Sequence, residues 1–204
     1  VHIINAENQF TDEFLAIPAK RTVMFGLKKG DITQKILGIN LKLAGEFNIY
    51  NALAAIAVAH VYGLDFLKAK ATVEAIPRVP GRMEFLEAGQ PFDVIIDYAH
   101  TPESLEAVYQ TLKPANGKLI CVFGSTGGGR DTWKRPVYGE IAARYCDEII
   151  LTDEDPYDED PEKILDDIDA GIQSNGAGEK TTRILDRGEA IYTAVQDARP
   201  GDVV

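Results

Sequence analysis

From Phe92 onward, short continuous apolar runs alternate with segments whose apolar residues recur every three or four positions. The runs "FDVIIDYA", "GKLICVFG", "DEIILT", "TRIL" and "GDVV" read as strands, and "PESLEAVYQTLK", "KRPVYGEIAARYC", "DPEKILDDIDAGI" and "RGEAIYTAVQDA" read as amphipathic helices. Apolar strands alternating with such helices predict an α/β fold of Rossmann-like type, a mostly parallel sheet with helices on both faces.

Upstream the pattern is different. Residues 1–44 alternate short apolar runs ("VHII", "RTVMFG", "LKLAG") with turn signals, as at the edge of an α/β or β-rich unit. The alanine-rich "GEFNIYNALAAIAVAHVYGLD" is apolar around much of its circumference and predicts a buried helix ending at Gly63. A second helix is predicted from Asp65 to Ile76, stopped by "PRVPGR", whose prolines and glycine make it the best linker in the chain. A domain boundary is therefore placed near residue 80, giving units 1–80 and 81–204.

In a doubly wound sheet, ligands gather at the carboxyl ends of the strands. That rule selects three loops: "DYAHTP", "GSTGGGRD" and "TDEDPYDEDP". In the first, Thr101 and Pro102 suit a helix start, which leaves Asp97 and His100 unexplained. In the second, Gly124 and Gly129 match the phosphate-loop pattern Gly-x-x-x-x-Gly-Lys-Ser/Thr, but Arg130 and Asp131 stand where lysine and the hydroxyl belong. A flexible turn would explain the glycines. Arg130, Lys134 and Arg135 at a helix N-terminus instead point to an anionic ligand, carboxylate or phosphate, because positive charge opposes the helix dipole there. The third loop reads either as a solvated acidic surface or as a site for a metal or a cationic group, and it matches no EF-hand spacing.

Composition narrows the partners. With 32 acidic against 21 basic residues and a net charge of −11, the chain would repel nucleic acid and anionic membranes at long range. No apolar run approaches the roughly 20 residues of a membrane span. Cys121 and Cys146 both lie in apolar stretches and read as buried free thiols, which suits a reducing cytoplasm. The abrupt start on "VHII" and the close on "GDVV" read as a piece of a longer protein.

Taken in order, "GEFNIYNALAA", "VPGRMEF", "DYAHTPESL", "FGSTGGGRDTWKRP" and "LTDEDPYDEDPEKILDDI" resemble the Mur ligase family, ATP-dependent amide-bond-forming enzymes of peptidoglycan synthesis. The resemblance spans residues 40–190 and is nearest to the type that adds the third amino acid to UDP-N-acetylmuramoyl-dipeptide. It implies that 1–80 is the C-terminal portion of a P-loop-type central ATP-binding domain, and that 81–204 is most of the C-terminal ligase domain. The P-loop and most Mg²⁺ ligands would lie upstream, with no metal ligand in this chain, which alone would be inactive. The partners implied are ATP, Mg²⁺, the UDP-MurNAc-dipeptide and a free amino acid, in a cytoplasmic, monomeric enzyme. By position, Asn48 resembles the asparagine at adenine, Arg82 and Asp97 the pair at the ATP ribose and phosphates, and His100 the histidine beside the nucleotide, the one possible catalytic group. Arg130 resembles the arginine that holds the amino acid's carboxylate, and Lys134 and Arg135 the loop-supporting "KRP" element. The glycine loop is one residue longer than the common "FGCGGDRD" form. Where enzymes selecting meso-diaminopimelate show "DNPR", this chain has Glu154, Asp155, Pro156 and Tyr157. Those carboxylates suit a cationic tail such as that of lysine or ornithine. Two other readings stay open: a folylpolyglutamate- or cyanophycin-type ligase, and a degenerate Mur-like binding domain.

Overall fold

The first unit, Val1–Val79, is organised around a helix whose small residues let it lie close to a sheet. The computed structural model describes residues 1–129 and 131–204, divided into this unit and a second, Pro80–Val204. In the first, β1 (His2–Asn5) and β2 (Thr22–Gly26) run parallel, with His2 opposite Thr22 and Asn5 opposite Phe25. The two-residue β3 (Ile32–Thr33) joins the end of β2. Helices α1 (Thr11–Leu15), α2 (Gln34–Leu37), α3 (Glu46–Val61) and α4 (Phe66–Ala75) complete the unit. Ala52, Leu53, Ile56 and Ala57 fall on one face of α3 and pack against Val23, Phe25, Ile32 and Ile39. Leu53 and Ile56 are fully buried and contribute about 1.5–3 kcal/mol each. Asp65 starts α4 by accepting from the Lys68 amide at 2.8 Å. The helix stops at Ile76, ψ 115°, because Pro77 excludes its predecessor from the helical region.

One expectation changes here. "LKLAG" forms no strand: it lies between Gly38, the left-handed cap of α2, and Gly45 at the start of α3, with Leu41 turned onto the core from a loop. Helices α1 and α2 are too short to show a period in sequence. Between these elements, the Glu7 carboxylate accepts from the amides of Leu27, Lys28 and Lys29 at 2.6, 3.0 and 3.2 Å and from the Tyr50 hydroxyl at 2.9 Å. It fastens the exit of β1 to the turn after β2 and to α3.

The second unit has the alternation that the pattern implied, in the α/β class. Strand β4 (Glu84–Phe85) pairs antiparallel with β5 (Ile95–Ile96), while β6 (Ile120–Phe123), β7 (Glu148–Leu151) and β8 (Thr181–Arg183) form a parallel sheet. Between them come α5 (Pro102–Leu112), α6 (Lys134–Tyr145), α7 (Pro161–Ser174) and α8 (Arg187–Asp197). Val203 bridges in parallel to both Asp93 and Leu119, so residues 202–204 slot between the segment carrying β5 and the start of β6. Asp202, 6% exposed, fixes that segment by accepting from the amides of Lys118 and Arg199 at 2.8 Å each. The ladder at β5, Ile95–Ile96, is shorter than the apolar run that announced it.

Ile120, Val122 and Ile150 pack with Ala190 and Ala194 of α8. The intervening Cys121, Ile149 and Leu151, all buried, face the other side, so both faces are covered. Cys121 and Cys146 are free and buried. Helices α6 and α7 approach closely through two glycines: a Cβ on Gly139 would strike the Ile168 carbonyl, and one on Gly171 the Pro136 carbonyl. That contact sets the first turns of α6 against the later half of α7.

Candidate functional site

The loop after β5 is shaped by its own carboxylate. Asp97 accepts from the Met83 amide at 2.7 Å and from the Ala99 amide at 2.8 Å. The first bond holds Met83 in a left-handed conformation, φ 46°, rare for a side chain of that size. It also places Arg82 with its guanidinium 4.8 Å from the centre of the Tyr98 ring, which lies 5.1 Å from the His100 ring. Arg82, Tyr98 and His100 are all exposed, so a cation and two rings form an open stack beside a carboxylate with acceptor capacity left. Thr101 caps α5 reciprocally with Ser104, the Ser104 amide donating to Thr101 Oγ1 at 3.2 Å and the Thr101 amide to Ser104 Oγ at 3.0 Å.

The loops after β6 and β7 are fastened to each other. The Gly127 amide donates to the Asp155 carbonyl at 3.0 Å, and a Cβ at Gly127 would collide with the Pro156 carbonyl. The Tyr157 ring lies beside Gly128, and the Gly129 amide donates to Glu159 Oε1 at 2.6 Å. Arg130 lies outside the described residues. Arg135, 1% exposed, sends its two terminal nitrogens to the Glu159 carboxylate at 2.9 and 3.1 Å and one of them also to Asp167 at 2.9 Å. The first loop joins this pair through the His100 carbonyl, which accepts from Lys134 Nζ at 3.3 Å and from the Tyr138 hydroxyl. All three strand-end loops therefore meet at the start of α6.

The electrostatics follow from these contacts. The Arg135 guanidinium, with help from the Gly129 amide, holds the Glu159 carboxyl below the usual range. The Glu159 carboxylate in turn raises the Arg135 guanidinium. Burial, and then the charges of Glu154, Asp131 and Glu103, push the Tyr138 hydroxyl up to about 12, so it stays a donor to His100. Lys134 has Asp131 at 3.4 Å. Lys134 and Arg135, two of the basic residues that suggested a bound anion, thus have negative partners within the chain, Arg135 from residues 24 and 32 positions beyond it. Asp155 and Tyr157, φ 40° and 53°, are exposed in left-handed conformations, Asp131 has φ 52°, and Glu154 is half-buried. Met83, Asp131, Asp155 and Tyr157 are the positive-φ non-glycine residues among those described, and all lie in or beside the three loops. No group of three His, Cys, Asp or Glu side chains capable of holding a metal gathers among the described residues.

Asn48 belongs to the first unit. It is 4% exposed, donates to the Ala44 carbonyl at 2.6 Å, and accepts from Asn51 Nδ2 at 3.3 Å. Asn51, one turn later, is exposed and offers the accessible amide of this helix face. Sequence reasoning passed over Asn51 and Tyr98. The three-residue spacing of the two asparagines was the available signal for one, and the loop position for the other.

Residues 81–204 match the family model described as "Mur ligase, glutamate ligase domain". A UDP-N-acetylmuramyl-tripeptide synthetase of Roseiflexus sp. (strain RS-1) is 50% identical over 167 residues, covering 80% of this chain and 33% of that protein. A UDP-N-acetylmuramoyl-L-alanyl-D-glutamate–2,6-diaminopimelate ligase of Syntrophomonas wolfei is 46% identical over 181 residues, covering 88% of this chain and 36% of that one. A solved structure of a ligase of the same name superposes with a TM-score of 0.56 at 30% identity, over 99% of this chain and 46% of that one. The chain spans about a third of the length of these curated relatives. No helix among the described residues is long and apolar enough to cross a membrane. With its second unit matched almost end to end and its strand-end loops gathered at one place, this chain belongs to the Mur ligase family.

Proposed function

We propose that the protein carrying this chain is an ATP-dependent acid–amino-acid ligase of peptidoglycan precursor synthesis, adding the third amino acid to UDP-MurNAc-L-Ala-D-Glu. The observation that carries this reading is the convergence of the three strand-end loops, two of them bearing open ligand-facing groups. In this reading residues 1–80 close the central ATP-binding domain and 81–204 form the amino-acid-binding domain. The γ-phosphoryl group of ATP passes to the acceptor carboxylate with release of ADP, and the amino group of the incoming residue attacks the acyl phosphate, losing a proton and expelling inorganic phosphate as the amide forms.

The chain's own residues then bind and orient. The Arg82, Tyr98 and His100 stack with Asp97 suits a nucleotide, the cation near phosphate and the carboxylate toward ribose hydroxyls. Asn48 contributes to adenine through the exposed amide of Asn51 that it holds. Arg130 takes the amino acid's carboxylate, and Glu154, Asp155 and Tyr157 face its side chain. Acidic groups there favour lysine or ornithine over meso-diaminopimelate, whose distal carboxylate they would repel. Lys134 and Arg135 support the loops. Holding the amine beside the acyl phosphate removes most of the entropic cost of the second step. Mg²⁺ neutralises phosphate charge in such reactions. The described residues of this chain gather no three-ligand cluster for it.

The test is phosphate release by the full-length protein with ATP, Mg²⁺, UDP-MurNAc-dipeptide and a panel of amino acids. Release that depends on both the dipeptide and an amino acid, strongest with lysine or ornithine, is expected. Release that ignores the amino acid would overturn the ligase reading, and a preference for meso-diaminopimelate would overturn the assignment to the acidic loop.

A further inference from the structure

Arg135 is the most buried charged side chain described, and its surroundings show what it is for. The fork of its guanidinium takes both oxygens of Glu159 in the third loop, at 2.9 and 3.1 Å. The same group reaches Asp167 on α7 at 2.9 Å and the Thr126 carbonyl of the second loop at 3.4 Å. Its Nε has no partner. At 1% exposure it cannot meet a ligand. Glu159 spends the oxygen that receives one guanidinium nitrogen on the Gly129 amide as well, at 2.6 Å. One carboxylate thus belongs to the third loop by its backbone, to the second by an amide, and to α6 by a charge pair.

Such an arrangement is a poor device for stability alone, since burying two charges costs about what their attraction returns. It is a good device for fixing distance, because a planar fork on a carboxylate admits one geometry. The neighbouring residues need that support. Asp155 and Tyr157 hold left-handed conformations four and two positions before Glu159, and the Gly127–Asp155 and Gly128–Tyr157 contacts cross between the same loops.

We propose that Arg135 and Glu159 form a clamp that fixes the spacing between the glycine loop and the acidic loop, and so set the enzyme's affinity for the incoming amino acid. Arg135 is a positioning residue, acting through Glu159 on groups that touch the substrate. This inference rests on the ligase reading above, in which those two loops receive the amino acid.

The test uses the full-length enzyme and steady-state phosphate release, with each of the three substrates varied in turn. Arg135→Lys keeps the charge but loses the fork, and Glu159→Gln keeps an acceptor for Gly129 but loses the charge. Each is expected to raise KM for the amino acid roughly 10–100-fold, the scale of an ångström-level misplacement, while KM for ATP and for the dipeptide substrate stays within about twofold. Should either variant not fold, Glu159→Asp, which keeps charge and shortens the reach, carries the same expectation. Equal increases in all three KM values would overturn the clamp. So would a lower kcat with unchanged KM that tracks the folded fraction in thermal melts. Wild-type enzyme that releases no phosphate in response to an amino acid sinks the ligase reading. Active wild type with unselective variants sinks only the clamp.

Discussion

Each unit contains a carboxylate that fastens a loop, and the two are built from different donors. Glu7 in the first unit is held by three successive backbone amides and a tyrosine hydroxyl, all neutral. Glu159 in the second is held by one amide and a buried guanidinium. Neutral amides stay in place as long as the turn exists, so the Glu7 fastening is as durable as the fold around it. The guanidinium must be brought in on another helix and kept dry, so the Glu159 fastening depends on how α6 and α7 pack. The conditional device stands where the three strand-end loops gather, and the unconditional one stands under a turn.

Substitutions at the two carboxylates and their donors break the comparison most sharply. Arg135→Met should cost the second unit about 2–3 kcal/mol in chemical denaturation, less than a fully buried pair because Glu159 and Asp167 are 21% and 37% exposed and can rehydrate. A loss confined to the first unit's transition would show that the clamp is not structural. Glu7→Gln should cost the first unit about 1–2 kcal/mol, since an amide oxygen replaces a charged acceptor at several donors. Tyr50→Phe removes one of those donors and should cost about 1 kcal/mol or less. Breaking the exposed Lys118–Glu148 pair with Lys118→Ala should leave the denaturation midpoint essentially unchanged, which calibrates the scale.

Changes of pH sharpen the contrast further. Burial tends to raise the Glu7 carboxyl, but the amides of Leu27, Lys28 and Lys29 and the Tyr50 hydroxyl together bring it below 4.5; Glu159 is lowered chiefly by Arg135. A lowered carboxyl contributes stability that is present above its unfolded value and is lost as pH falls through the folded one. Both units should therefore weaken below about pH 4.5, and in Arg135→Met the Glu159 share of that acid loss should shrink to what the Gly129 amide sustains while the Glu7 share remains. Tyr50, pushed up to about 12 by burial and by Glu7, has the opposite sign: its contribution is intact below pH 10 and is lost between 10 and 12. Denaturation followed across both limbs would show the two-sided dependence for the Glu7–Tyr50 site, and a flat alkaline limb would contradict it.

The elements were legible in the sequence where local chemistry decides them. Thr101 and Pro102, Asp160 and Pro161, and Pro77 after Ile76 mark helix ends by rules that act within four residues, and α5, α7 and α4 start or stop there. The gathering of three loops was legible too, because strand-end position follows from topology. What stayed hidden depends on partners distant in sequence. Glu159 lies 24 residues from Arg135 and Glu7 lies 43 from Tyr50, so no spacing rule announces either pairing. Arg135 at the start of α6 looked unbalanced because its carboxylates are supplied by the next loop and helix. Asn48 and Asn51 read alike on paper. Only the packing of α3 turns one inward and leaves the other open.

The slot that Val203 fills between Asp93 and Leu119 carries a consequence for how the molecule is made. A sheet whose middle position is taken by residues 202–204 cannot close until those residues have left the ribosome, however early β5 and β6 form. Until then two neighbouring strand edges stand open, and such edges recruit foreign strands. Pairing so remote in sequence also carries a large loop-closure cost, so the second unit should fold late and slowly, with the Asp202 side chain acting as its latch.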